Sequence, residues 1–215
     1  MPTRPKDENE LQKREAAGVI RASRFVRQYA HSRKPITLST VYEIHKCIFQ
    51  EAWTEIAGVC RIEELKISDS QHRPPHHTKV ENLMKALDNE FKHRLEKLSS
   101  VESFWVDDRE LSEKGAKIID NIIATAAWIH HQITYVHPFR EGNGRTARLA
   151  GNLILERYGL VGISIKVERE NKNRYRAALA QIDSHGDYEP LKELIYDGLI
   201  DRYNGLSIKY LKTTK

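Results

Sequence analysis

The longest unbroken periodicity in the chain runs through Ile119, Ile122, Ala126, Ile129, Ile133 and Val136, apolar positions that step by three and four. That spacing lays one apolar stripe along a helix and predicts a long core helix ending at His137. Shorter runs of the same period surround it. Val19, Ala22, Val26 and Tyr29 recur among Arg14, Arg21, Arg24 and Arg27, which predicts a basic outer helix over residues 10–30. Leu38, Val41, Ile44 and Ile48 follow Thr37, a suitable N-cap, and predict a second helix. Val80, Leu83, Leu87, Phe91 and Leu95 predict a third. Beyond the central helix, Ala147, Ala150 and Ile154 share a face with Leu149 and Leu153 beside it, up to a natural stop at Gly159. "KNRYRAALAQI" and "DYEPLKELIYDGLIDRY" predict two more helices, the last opening with Pro190 and closing near Gly205.

The helical period fails in two places. Gly58 ends it first, Ile62 to Ile67 suit a short extended run, and Pro74-Pro75 forbid regular helix, so residues 61–80 are expected to form a small β-hairpin or flap. "SSVESFWVDDRELSEKG" reads as a connection. The expected fold class is therefore all-α with a small hairpin. At 215 residues, without repeats or low-complexity tracts, the chain is long enough for one sizeable domain with its own core. Cys47 and Cys60 form no CxxC pair or zinc ligand set and are expected to be reduced thiols. No stretch of about 18 apolar residues occurs and the N-terminus has no apolar leader, so the expected compartment is the cytoplasm, with no membrane partner. A specialised secretion signal need not be apolar, which leaves export as a translocated effector open. The net charge of +5 fits an anionic partner such as a nucleotide, a nucleic acid or an acidic protein. It fits a surplus kept for solubility equally well.

"HPFREGNGRTAR", residues 137–148, separates these readings. Asn143-Gly144 would be a hairpin turn between strands, but its flanks are two strongly helical segments. The stretch must instead join the end of one helix to the start of the next. A helix N-terminus with glycine on either side of Asn143 exposes several N–H groups with no side chain in the way, a phosphate nest backed by the helix dipole. Arg145 and Arg148 are spaced i, i+3 and put two cations beside a positive terminus, an unfavourable arrangement unless an anion sits there. Glu141 offers a hard oxygen to Mg²⁺ bridging phosphates. His137 titrates near neutrality and can take a proton from an attacking hydroxyl.

These residues carry a resemblance. The stretch is similar to the full Fic-domain signature, HxFx(D/E)GNGRxxR, with His137, Phe139, Glu141, Gly142, Asn143, Gly144, Arg145 and Arg148 in place. The likeness extends weakly over about residues 35–200, through "WTEIAGVCR" and "GDYEPLKELI". It implies a Fic-type helical core at 35–203, with a flap at about 61–80 and an active-site loop at 137–148, a helical extension at 1–34 and a C-terminal tail at 204–215. It also implies transfer of AMP from ATP to a Ser, Thr or Tyr hydroxyl of a target protein. In that case His137 deprotonates the hydroxyl, Glu141 holds Mg²⁺, Gly142, Asn143 and Gly144 cradle the phosphates, and Arg145 and Arg148 neutralise the β and γ groups. Phe139 points into the core, and Tyr175 falls roughly where family members contact the nucleoside. The intact GNG segment favours AMP transfer over phosphate transfer, while other nucleotide or phosphodiester donors stay open.

The resemblance further implies that the target docks in extended form along the flap, with Ile62 to Ile67 as the candidate edge. His72, His76 and His77 with Asp69 offer transition-metal donors, but Pro74 and Pro75 break helical spacing and no cysteine is near, so solvent-exposed loop histidines are the expectation. His130 and His131 are expected to pack or to support the loop, and Trp53 and Trp128 to lie in the core. The inhibitory (S/T)xxxE(G/N) motif of many Fic proteins has no clean copy. Thr3 is followed by Asp7 where Glu is required, and Ser39 precedes Glu43 but Ile44 follows. Inhibition is therefore expected from a small antitoxin in trans, in a toxin-antitoxin pair. A non-catalytic nucleotide- or partner-binding module, and a basic nucleic-acid-binding protein, are the rival readings. The first leaves His137 without a purpose, and the second rests on charge alone.

Overall fold

The computed structural model of the protein describes residues 4–32, 34–67, 70, 72–99, 113–165 and 170–212, with residues 99, 113, 114, 170 and 205–212 as backbone only. Seven α-helices succeed one another: α1 (Glu8–His31), α2 (Leu38–Phe49), α3 (His77–Ser99), α4 (Glu113–Val136), α5 (Asn143–Arg157), α6 (Glu170–His185) and α7 (Glu189–Lys212). A single 3₁₀ turn at Thr54–Ile56 follows α2. Every helix predicted from periodicity is present. Thr37 does cap α2, and its N–H donates to Thr40 Oγ1 at 3.3 Å. Asp7 caps α1 by accepting from the Asn9 N–H at 3.0 Å.

Three expectations change. Among the described residues no strand occurs, and residues 61–67 follow an irregular path, so the expected small β-hairpin is not seen. Within this segment the Glu63 carbonyl is taken by the Arg61 side chain, and the Arg61 N–H donates to the Pro138 carbonyl rather than to a partner strand. α7 continues to Lys212, past Gly205 where it was expected to close. The helix after Thr37 stops at Phe49, well before Gly58, whose φ of 74° instead serves a turn. The connection around residues 100–112 lies outside the described residues.

α4 is the centre of the core: Ile122, Ile123, Ala126, Ile129 and Ile133 are all fully shielded from solvent. α5 packs along it in the opposite sense, and Gly151 brings the α5 backbone close to the Ala126 carbonyl in the middle of α4. Apolar burial of this kind, roughly 25 cal/mol per Å², is the principal favourable term holding the helices together. α1 belongs to the same core. Leu11, Ala22, Val26 and Ala30 are at most 4% exposed. α1 runs parallel to α5, tied at one end by Arg145 to Glu15 and at the other by Arg157, which donates to the Ala30, Tyr29 and Lys34 carbonyls at 2.8–2.9 Å. Arg157 thereby satisfies carbonyls that the end of α1 leaves without intrahelical donors.

α1 and α2 approach until Gly18 faces the carbonyl of Ile48 with no room for a Cβ. Alanine favours a helix interior over glycine by about 1 kcal/mol, but the overlap here is with backbone, which has nowhere to go. Gly18→Ala is therefore expected to destabilise the fold by about 1–3 kcal/mol, read as a lower midpoint in urea denaturation with unchanged slope.

Candidate active site

The 137–148 stretch is the turn between α4 and α5, and its shape follows from a few side chains. His137 continues α4 by one hydrogen bond, its N–H donating to the Ile133 carbonyl at 3.0 Å, then leaves the helix with a left-handed φ of 50°. Its ring is fixed by the same turn: Nδ1 lies 2.9 Å from the Thr134 carbonyl. A carbonyl only accepts, so Nδ1 carries the proton and Nε2 keeps its lone pair. Burial pushes the imidazole pKa below its ordinary value, so the ring is neutral at neutral pH.

Phe139 is fully buried and lies against the His45 ring, stacked at 3.8 Å between centroids and 7° between planes. Asn143 closes the turn over it. Its Oδ1 accepts from the Phe139 N–H at 2.9 Å, and its Nδ2 donates to the Phe139 carbonyl at 2.7 Å. Gly142, the N-cap of α5, has φ 75°, and a Cβ there would overlap the Phe49 ring. Glycine is required at that position both for the dihedral and for the space. The turn thus delivers the free N–H groups at the start of α5 to one side, with no Cβ at Gly144 intruding.

Two cavities meet at this turn, and His137 and Gly144 line both. One, about 390 Å³, is mainly apolar and is walled by Ile67, Tyr135, Tyr175, Leu179 and Ala180. The other, about 430 Å³, is polar and is lined by the 140–145 backbone, Arg148, Leu65 and Lys66. A pocket of a few hundred Å³ with a handful of convergent polar groups is the size of a small-molecule site. A neutral base between an apolar slot and a cationic, N–H-lined slot suits a ligand with a flat apolar end and an anionic tail.

Residues 35–155 match the profile of the Fic/DOC family. The chain belongs to that family. A protein adenylyltransferase Fic of Nematostella vectensis is 30% identical over 181 residues, 84% of this chain and 36% of the relative. A protein adenylyltransferase fic-1 of Caenorhabditis briggsae is 26% identical over 196 residues, 89% of this chain and 34% of its own. The chain therefore spans about a third of the length of these curated relatives. Among solved structures, Fic-1 of C. elegans superposes with a TM-score of 0.68 at 24% identity, covering 100% of this chain and 56% of that one. The BepC effector protein of Bartonella tribocorum, solved with bound AMPPNP, gives 0.62 at 18% identity, over 90% and 88% of the two chains. These structures establish the shared Fic fold.

Within the Fic loop, the expected site residues do not all stand alike. Arg148 is half-buried beside both Gly144 and the start of α6, and no carboxylate among the described residues pairs with it. It donates instead to Tyr175, whose hydroxyl lies 2.7 Å from His130 Nε2. Burial lowers the pKa of His130 to about 3 and raises that of Tyr175 to about 12, so this chain of groups is neutral except for the guanidinium. Arg145, by contrast, is engaged by Glu15 of α1 at 2.6 Å and by Glu141 at 3.4 Å, with its guanidinium 5.1 Å from the Phe49 ring centre. Glu141 is half-exposed, and both of its hydrogen bonds, from Gly142 N–H and Arg145, go to Oε1. His131 sits on the wall of the apolar cavity, 2.8 Å from Asp183, in line with the supporting role expected of it. Trp128 is core at 5% exposure, whereas Trp53 is only half-buried, covered by the guanidinium groups of Arg4 and Arg140 at 4.9 and 4.8 Å from its ring centre.

Four functional supports had no signal in the sequence. His45, on α2, accepts the Gly58 N–H on Nδ1 at 2.9 Å and donates from Nε2 to the Glu141 carbonyl at 3.0 Å. Arg61 spends its guanidinium on three carbonyls, those of His137 (2.7 Å), Glu63 (2.8 Å) and Pro75 (2.6 Å), while its own N–H donates to Pro138. Asp183 of α6 lies between His131 and His72. Glu15 is 130 residues away from Arg145 in the chain and meets the loop through the packing of α1 on α5.

His45 is fully buried and neutral, and desolvation lowers its pKa to about 4, with His130 at about 3. The unfolded chain therefore binds more protons than the folded one below about pH 6.5, the ordinary histidine value. Stability contributed by these neutral rings is present above that pH and is lost as the pH falls through 6.5 toward 4. Each ring is expected to cost roughly 1.4 kcal/mol per pH unit in that window. Thermal melts between pH 7 and 4.5 check this, and His45→Phe should flatten part of the slope.

Proposed function

We propose that this chain transfers AMP from ATP to a hydroxyl side chain of a target protein and releases pyrophosphate. The observation that carries the reading is the placement of an unprotonated His137 Nε2 where an apolar cavity meets a cationic one. In this reading adenosine enters the apolar cavity against Tyr175, and the polyphosphate runs across the α5 N-terminus of Gly142, Asn143 and Gly144 toward Arg148. The target hydroxyl attacks the α-phosphorus as its proton passes to His137 Nε2, and the bond from that phosphorus to the bridging oxygen of pyrophosphate breaks. Negative charge grows on the β and γ groups, where Arg148 and the dipole of α5 stabilise it. Arg145 reaches the same phosphates only by sharing or leaving Glu15.

Glu141 fits the Mg²⁺ expected of such a transfer. Its carboxylate is half-exposed at the polar cavity, and Oε2 is left for a hard cation that takes one or two carboxylates and completes its shell with phosphate and water. Bound there, Mg²⁺ supplies charge neutralisation of the leaving pyrophosphate. The target chain is proposed to lie along Ile62 to Ile67, where Ile62 is 82% exposed and the segment borders both cavities through Ile67. An antitoxin acting in trans would have to bring an acidic group to Arg148, which has no carboxylate partner among the described residues. Adenylyltransferase names among the relatives and AMPPNP in BepC support the nucleotide assignment.

Purified chain incubated with lysate, Mg²⁺ and either α- or γ-labelled ATP tests this directly. Label is expected in protein from the α position only, and loss of a general base should reduce it by about 10²–10⁴-fold in His137→Ala. Label from the γ position alone would mean a kinase and would overturn the proposal.

A further inference from the structure

The described residues contain a set of metal donors away from the loop. Glu64, from the irregular segment after Arg61, meets His76 and His77 at the start of α3, with one ligand atom from each lying within 4.8 Å of the others. Glu64 Oε1 is 2.8 Å from His77 Nδ1 and 3.3 Å from His76 Nε2. A tetrahedral ion bound at about 2.0–2.2 Å would set neighbouring donor atoms roughly 3.3–3.5 Å apart, so only small movements separate this arrangement from a coordination shell. His76 and His77 are at least partly exposed, as expected of loop histidines, and they converge on the carboxylate of Glu64. His72, by contrast, turns away to the Tyr135 carbonyl at 2.8 Å and to Asp183.

Two features make the trio a prepared site. First, His76 Nδ1 bonds Thr78 Oγ1 at 2.8 Å, which orients the ring so that Nε2 faces Glu64. A second hydrogen bond of that kind, on the nitrogen away from the ion, is what fixes ligating histidines. Second, both backbone segments that supply the donors hang on one buried guanidinium. Arg61, 4% exposed, donates from one end to the Glu63 carbonyl and from the other to the Pro75 carbonyl, the residues just before Glu64 and His76. The donors therefore meet because the chain is clamped beneath them, and not through chance contact of free side chains. The His77 backbone N–H also donates to Glu64 Oε1 at 3.1 Å and so holds the carboxylate against the start of α3.

We propose that Glu64, His76 and His77 bind a borderline divalent transition ion of the zinc class, with three protein ligands and a fourth position left to water or to a group from outside. Imidazole and carboxylate donors suit such ions better than Mg²⁺. The ion would lock Glu64 to the start of α3. The next three residues, Leu65, Lys66 and Ile67, line the polar cavity beside His137, so the site fixes the segment that borders the reaction centre. This inference is independent of the donor nucleotide and of AMP transfer.

Calorimetric titration of the untagged full chain with ZnCl₂ alone tests it, with Co²⁺ absorption as a second reading of ligand geometry. One ion per chain is expected for the wild type and for His93→Ala, an exposed histidine of α3 outside the trio. Glu64→Gln, His76→Ala and His77→Ala should each weaken binding about tenfold or more, and the double histidine variant should lose it along with the Co²⁺ spectrum. No binding by the wild type, or equal binding by the wild type and the double variant, would overturn the site. All three side chains are at least partly exposed, so the variants leave the core intact.

Discussion

The two hydrogen bonds between the Asn143 amide and the backbone of Phe139 are the contacts on which the site depends. A turn that must expose N–H groups to a ligand has few backbone bonds left to hold its own shape. Here a single buried side chain supplies them from within, and the phenyl ring it encircles is pinned in turn by His45 and Tyr42. Asn143 thus serves the turn with its side chain and leaves its main chain free. Gly142 lets the chain reverse against Phe49, and Gly144 keeps the far side open. The geometry of an anion site is set before any anion arrives, which is how such a site avoids reorganisation at the moment of reaction.

Around this turn the protein arranges charge by exclusion. His45, His130 and His137 are all kept neutral, and the dominant cause for each is burial. Arg61 is buried too, yet its guanidinium donates to three carbonyls, that of His137 among them, and so braces the loop. Arg145 is balanced by Glu15 and Glu141. Among the described residues Arg148 has no carboxylate partner, and it lines the same cavity as the N-terminus of α5. A half-buried cation whose described partner is a neutral hydroxyl is costly unless something anionic joins it, and Arg148 is in that position.

Much of this was legible in the sequence. The three-and-four stepping of Ile119 to Val136 and of Ala147 to Ile154 required two helices, and "HPFREGNGRTAR" between them required the turn. Phe139 as a core anchor was implied by the resemblance to the Fic signature, and it is fully buried. The supports were not legible, because each comes from a different part of the chain: His45 from the buried face of α2, Arg61 from the irregular segment, Glu15 from α1 and Asp183 from α6. Nothing in local periodicity distinguishes an arginine that braces a loop from one that faces solvent. The expected hairpin failed for a related reason. Alternation over "IEELKI" suited a strand, but the carbonyl of Glu63 had a donor in Arg61 and no partner strand lies among the described residues. Chain neighbours alone also gave no hint that Glu64 would gather His76 and His77.

The claim at the centre of this account is that the fold presents His137 as a neutral base with its lone pair on Nε2. Long-range proton–nitrogen correlation spectra of the imidazole nitrogens at neutral pH read this directly. The account predicts a protonated Nδ1 and a bare Nε2 for His137, alongside the opposite tautomer for His45. A His137 ring protonated on both nitrogens at pH 7, or carrying its only proton on Nε2, would contradict it.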